Sequence, residues 1–167
     1  MWVGESSQEV WLHLKLVEAQ GLAKEVITIL SPFCKRIEVA GSIRRRKAEV
    51  HDVDIVLIPN SLVDIVGILQ KKMQAKVEKR GKLIISLKIR DEGVDLNLAT
   101  EETFVPLLLF RTGSWQHNTK LATKAKRLGL KFSPYGVFKD DKRIDDNTEE
   151  GIFSALGEDY IPTEERG

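Results

Sequence analysis

The stretch from Asp52 to Ile58 constrains this chain more than any other. Val53, Ile55, Val56, Leu57 and Ile58 form an apolar run rich in β-branched residues, closed by the turn residues Pro59-Asn60-Ser61. Such a run predicts a buried strand. Two acids stand at its start. Side chains at i and i+2 of a strand share a face, so Asp52 and Asp54 present two carboxylates side by side. Close carboxylates repel unless a proton or a cation lies between them, and hard divalent ions such as Mg²⁺ favour oxygen ligands of this kind. An isolated Asp-x-Asp is also an ordinary strand end or turn, so its neighbours have to decide.

Around this strand the pattern is mixed. Val10, Trp11, Leu14 and Val17 recur at helical spacing, as do Leu22, Ala23, Val26, Ile27 and Leu30. Two helices are predicted, separated at Gly21, the second ending at Ser31-Pro32. A short strand over Ile37–Ala40 runs into Gly41-Ser42. Ser61 is the expected N-cap of a helix over Leu62–Lys71. Strands over Lys82–Ile89 and Val94–Ala99 flank Asp91-Glu92-Gly93 as a hairpin. Then helices return: Phe104–Phe110 capped by Thr100 or Thr103, and Trp115–Leu128 capped by Ser114, with Gly113 and Gly129 as stops. Lys131–Arg143 reads as a hairpin or three-stranded ribbon, and Thr148-Glu149-Glu150 opens a last short helix ending near Gly157. The expected fold class is α+β: a mixed sheet with flanking helices over residues 1–100, then a small α+β lobe over residues 101–167.

Charge is segregated along the chain. Residues 71–90 hold eight Lys or Arg and one acid; residues 111–131 hold six and no acid; residues 140–165 hold ten acids. A net charge of only +1 therefore conceals faces of opposite sign, which suits a protein meeting a polyanion on one side, or simply solvated faces that balance. The single cysteine, Cys34, allows no internal disulfide and fits a reducing compartment. No apolar run approaches a membrane span and no signal peptide is evident, so a cytoplasmic or nucleoid-associated protein is expected, neither secreted nor membrane-bound.

Three neighbours raise the Asp-x-Asp above the ordinary. Gly41-Ser42 lies at a strand end, where backbone N–H groups and a hydroxyl can cradle phosphate oxygens. Arg44, Arg45 and Arg46 can bind phosphate by charge and forked hydrogen bonds. Asp95 stands between Val94 and Leu96 on a separate strand, where an acid is costly unless it meets a cation. If that strand lies beside the Asp52–Ile58 strand, three carboxylates converge as in two-metal phosphoryl transfer.

Gly41-Ser42, nine residues, then Asp52-Val53-Asp54 is the spacing of the nucleotidyltransferase signature. The fuller string Gly41-Ser42-Ile43-Arg44-Arg45-Arg46 with Glu49 and Asp52-Val53-Asp54 resembles the palm of family X DNA polymerases. Phe110-Arg111-Thr112-Gly113-Ser114 resembles that family's Tyr-Phe-Thr-Gly-Ser, and His117-Asn118 follows at the expected distance. Gly129-Leu130-Lys131 through Tyr135-Gly136-Val137-Phe138, then Thr148-Glu149-Glu150 and Tyr160-Ile161-Pro162, extend the likeness over residues 37–167. It is strongest to bacterial and archaeal members.

The resemblance implies a polymerase that adds deoxynucleotides from dNTP to a primer end on primer-template or gapped DNA, working as a monomer in short-gap repair. It implies two divalent ions, Mg²⁺ with Mn²⁺ able to substitute, held by Asp52, Asp54 and Asp95. Gly41, Ser42 and Arg45, with backbone N–H groups near Val50 and His51, would bind the triphosphate. Phe110, Arg111 and Gly113 would pack against the incoming sugar, Asn118 would reach the base edge, and Trp115 would stack near the base or pack on its helix. His117 reads as a helix-surface residue. Lys120, Lys124, Arg127 and Lys131, with Lys82 and the basic 71–82 segment, are candidates for DNA phosphates, with the solvated alternative open for that segment.

There are departures. Arg111 stands where the family usually has Phe, Asn97 where many members have Arg, and Ala122 where a template-contacting Arg is known. Loose sugar discrimination and low fidelity are expected. The length leaves no room for the family's lyase, helix-hairpin-helix or phosphoesterase domains, so neither lyase nor proofreading activity is expected, and Met1 favours a chain that stands alone. Other readings are a nucleotidyltransferase with a non-DNA acceptor, a template-independent terminal transferase, and a non-catalytic nucleic-acid-binding module.

Overall fold

The computed structural model describes residues 14–61 and 63–167. The first lobe is built on a five-stranded sheet. Its strands are β2 (Cys34–Val39), β4 (Asp52–Pro59), β5 (Lys76–Arg80), β6 (Ile84–Ile89) and β7 (Glu92–Leu98), in the order β2-β4-β7-β6-β5. Only β4 and β7 run parallel, joined by a crossover through α3 (Ile65–Met73), β5 and β6. A two-stranded ladder, β1 (Leu14–Lys15) with β3 (Glu49–Val50), lies apart from it.

One face of the sheet carries the main core. Val53, Ile55 and Leu57 of β4, Val94 and Leu96 of β7, and Ile85, Leu87 and Ile89 of β6 cluster with Ala19, Leu22, Ala23, Val26 and Leu30 of α1 (Leu16–Leu30). Ile65, Val66, Leu69 and Met73 of α3 complete the cluster. Among the described residues the other face is covered only in part. Val56, Ile58 and Ala99 meet Phe104 and Leu108 of α4 (Phe104–Thr112). Strand alternation therefore puts Asp52, Asp54, Asp95 and Asn97 on this second face, beyond the cover of α4.

The second lobe adds α5 (Trp115–Arg127), the three-stranded sheet β8 (Lys131–Ser133), β9 (Gly136–Lys139) and β10 (Lys142–Arg143), and α6 (Glu149–Ala155). Leu109, Leu121, Ala125, Phe132, Val137, Ile152, Phe153 and Leu156 form its core. Ser114 caps α5 by accepting from His117 N at 3.1 Å, and Thr148 caps α6 by accepting from Gly151 N at 2.9 Å. Gly129 follows α5 in the left-handed conformation, φ +68°.

Four local expectations are corrected. The expected first helix falls largely outside the described residues, and Leu14 and Lys15 within it are strand. Gly21 does not separate helices, because the buried stripe Ala19, Leu22, Ala23, Val26, Leu30 runs straight through it. Burying that stripe outweighs the roughly 1 kcal/mol a mid-helix glycine costs. Ser61 is not the cap of α3: Asp64 is, its carboxylate accepting from Gly67 N at 3.0 Å. Lys76–Arg80, which falls in the expected connection between the Leu62–Lys71 helix and the Lys82–Ile89 strand, is itself an edge strand exposed at every position. Its register comes from backbone bonds to β6, and its charges are those that keep edges from pairing with other chains.

Candidate active site

The parallel pairing of β4 and β7 creates the site. Asp54 and Asp95 are register partners, and Asp52 lies opposite Gly93. Adjacent strands are about 4.8 Å apart and a two-residue step is about 6.6 Å, so the three acids rise from neighbouring points of one open face. Ser86 of β6 is the next partner beyond Asp95. Among the described residues no three such side chains are already gathered closely enough to hold an ion.

The electrostatics of the cluster are those of acids that need a cation. The Asp54 carboxyl is pushed up to about 7, by burial first and then by the charges of Asp52 and Asp95, with Arg111 and a hydrogen bond from Asn97 acting the other way. Asp52 is raised by burial and then by Asp95, while His51 opposes the shift. Hard oxygen donors in a region of surplus negative charge fit a divalent ion. Asn97 lies under the pair, donating to Ile55 O at 3.2 Å and to Asp95 O at 3.4 Å.

Gly41 opens the short helix α2 (Gly41–Arg44) next to this cluster, at φ +59°. A Cβ there would collide with the Asp54 carboxylate, so both the conformation and the close approach demand glycine. The same turn aims Arg45 at the site. Burial lowers its pKa, and the Asp54 charge restores part of the loss. Its Nη1 donates to Thr112 O at 2.6 Å, while its Nε is buried without a partner. Ser42 is half-buried and His51 exposed at the near end of β4.

The sugar- and base-side candidates lie on the second lobe. Gly113 ends α4, and a Cβ on it would come within 2.5 Å of Asn118 Oδ1 and 2.7 Å of His117 Cδ2, so here glycine is needed for packing. Asn118 Nδ2 donates to Phe110 O at 2.7 Å and its Oδ1 is buried without a partner. Phe110 leans on Phe132, ring centroids 5.8 Å apart, at the margin of the second core. Trp115 is 77% exposed. Arg111 lines an apolar cleft of about 340 Å³ with Leu98, Ala99, Leu107 and Tyr135, its Nε buried and unpartnered.

His117 is not on the helix surface. It is buried against Phe153, ring centroids 6.0 Å apart, and its pKa falls to about 4 through burial and then the charges of Arg166, Lys120 and Arg45. Of the basic candidates, Lys120, Lys124 and Arg127 share a flank of α5, Lys131 stands exposed on β8, and Lys82 lies in the turn between β5 and β6.

A buried ion network joining the lobes went unread in the sequence. Glu149 bonds Arg44 at 2.7 Å and Arg166 at 2.8 Å, and Arg166 is wholly buried. Arg44 also donates to Thr112 Oγ1 at 3.0 Å, and Arg166 O accepts from Ser114 N at 3.0 Å. The partners lie up to 105 residues apart, so no local pattern pointed to them. The one available signal was an arginine in an otherwise acidic C-terminal segment.

Residues 107–167 match the DNA polymerase beta thumb. The DNA polymerase/3'-5' exonuclease PolX of Bacillus subtilis is 33% identical over 125 residues, which is 70% of this chain and 21% of that protein. The chain thus spans about a fifth of that relative's length. Two crystal structures of Leishmania infantum polymerase beta share the fold. A ternary P/T complex superposes with a TM-score of 0.80 at 20% identity, covering 93% of this chain and 77% of that one. A ternary gap complex superposes at 0.79 and 19% identity, covering 92% and 70%. No helix among the described residues is long and apolar enough to cross a membrane.

Proposed function

We propose that the chain is a family X-like DNA-directed polymerase, transferring dNMP from dNTP to a primer 3′-OH at short gaps in DNA. The observation that carries this is the register pair Asp54–Asp95 beside Asp52 on one sheet face, with Asp54 raised by burial and then by its acidic neighbours. The gapped and primer-template DNA of the two Leishmania structures supports the choice of substrate. Residues 1–100 act as the palm and 101–167 as the thumb.

Asp52, Asp54 and Asp95 would hold two Mg²⁺ ions, or Mn²⁺, which supply Lewis-acid activation of the hydroxyl and neutralise the triphosphate. The remaining work falls to side chains and backbone. Asp95 would accept the primer hydroxyl proton. Gly41 N–H, Ser42, Arg45 and the backbone at His51 bind the triphosphate, Arg45 contributing its unpartnered Nε. Phe110, Arg111 and Gly113 shape the sugar pocket. Asn118 and the exposed Trp115 meet the base, while lysines of both lobes bind DNA phosphates. The protein works as a monomer in the cytoplasm or on the nucleoid.

The test is single-nucleotide insertion on a one-nucleotide-gapped duplex with Mg²⁺ or Mn²⁺ and each dNTP in turn. Insertion of only the complementary nucleotide, abolished by Asp52→Ala, is expected. Addition of any nucleotide regardless of template would make it a terminal transferase, and no transfer under either metal would end the reading.

A further inference from the structure

Helix α5 has two flanks, and three of its four basic side chains lie on one, Lys126 alone falling on the other. The buried stripe is His117, Leu121 and Ala125. At 3.6 residues per turn, Trp115, Asn118 and Ala122 fall to one side of that stripe, where Asn118 reaches Phe110. Lys120, Lys124 and Arg127 fall to the other. There, with Thr119, Thr123 and Glu158, they line a groove of about 310 Å³. Glu158, in the segment after α6, is the single acid in this lining, and its carboxylate meets Lys124 Nζ at 3.0 Å.

We propose that this groove is a second DNA contact, taking the phosphodiester backbone of DNA outside the nascent base pair. Glu158 holds Lys124 in the place a phosphate oxygen takes when DNA arrives. The inference rests on the polymerase reading for the identity of the polyanion. Three features carry it. First, the flank is turned away from Asn118, so it cannot grip the pair that Asn118 inspects. Second, Lys120 to Arg127 is seven residues, about 10.5 Å of helix axis, a length over which cations can meet successive phosphates of one strand rather than a single anion. An open row of donors fits a repeating anion better than a compact one. Third, the lining offers ammonium, guanidinium and hydroxyl groups and no aromatic ring, so it can hold backbone but has no platform for bases.

Affinity is read by fluorescence anisotropy of the whole chain with a labelled one-nucleotide-gapped duplex, without divalent metal, over a series of salt concentrations. Each neutralised phosphate contact contributes about 0.9 to the slope of log affinity against log salt. The double variant Lys120→Gln/Arg127→Gln, at two exposed positions, should bind more weakly with a slope shallower by about 1.8. Glu158→Gln should bind severalfold more tightly than wild type. Glu150→Gln, an equal change of charge at an exposed site outside the groove, should leave affinity unchanged. Thermal melts of each variant establish that the fold is intact. An unchanged slope in the double variant, or a Glu158→Gln protein that binds no better than Glu150→Gln, overturns the groove and leaves the polymerase reading standing. A wild-type chain that fails to bind the duplex even at low salt refutes both.

Discussion

Replacing Asp54 by Asn probes the carboxylate cluster through folding stability, independently of turnover. Asp54 is raised from 3.8 to about 7, by burial foremost and then by Asp52 and Asp95. A shift of about three units at about 1.36 kcal/mol each means that ionised Asp54 costs the metal-free fold about 4 kcal/mol. The folded pKa lies above the unfolded one. Between the two values the native state keeps a proton that the unfolded chain has released, so stability falls as pH rises through that window and levels off above it. Asparagine is close to isosteric with the protonated acid and never ionises. The variant should therefore exceed wild type by about 4 kcal/mol near pH 8, by under about 2 kcal/mol near pH 5, and by nothing below about pH 4. Urea unfolding with chelator at the three pH values measures this directly, provided the m-values agree. Added Mg²⁺ should stabilise wild type and leave Asp54→Asn unmoved, by linkage of binding to folding. A variant no more stable than wild type at pH 8, or an advantage that does not grow with pH, would refute the burial and crowding of Asp54 on this face.

Two further outcomes follow from the same geometry. Glu149→Gln strips the shared anion from Arg44 and the buried Arg166 and should cost about 3–5 kcal/mol, seen as a Tm lower by about 6 °C or more. Burial works against ionisation of Glu149, but hydrogen bonds from Arg166 and Arg44 outweigh it and lower its pKa. Its contribution is thus complete above about 4.5 and fades as pH falls through the lowered value, so wild type should lose stability in acid where the variant has none of this term to lose. Gly41→Ala forces a left-handed φ on alanine and drives its methyl into Asp54. About 1–2 kcal/mol of backbone strain and a displaced carboxylate should lower insertion about 100-fold, and full activity in a folded Gly41→Ala protein would contradict the observed contact.

Most of the second lobe was legible because its signals are local. Ser114 and Thr148 cap the helices they precede, Gly129 stops α5, and the 131–143 ribbon follows its turn residues. The strand hairpin β6–β7 was equally plain from apolar alternation across Asp91-Glu92-Gly93. Where reading failed, long-range contacts had overruled local preference. Gly21 looked like a break until the stripe on either side of it was buried against a sheet. Lys76–Arg80 has no strand pattern of its own and borrows one from β6 through backbone bonds. His117 has the chemistry of a surface residue and is covered by Phe153 and its neighbours.

The same division runs through the site. The three acids, the glycine beside them and their chemical kinship to phosphoryl transfer are written in residue type and spacing, because strand alternation and metal-ligand chemistry act over a few residues. That Asp95 stands level with Asp54, that α4 leaves their face open, and that Glu149 ties Arg44 to Arg166 depend on how strands and lobes pack. Those placements come from burying apolar surface contributed by distant parts of the chain, and no stretch of sequence encodes them alone.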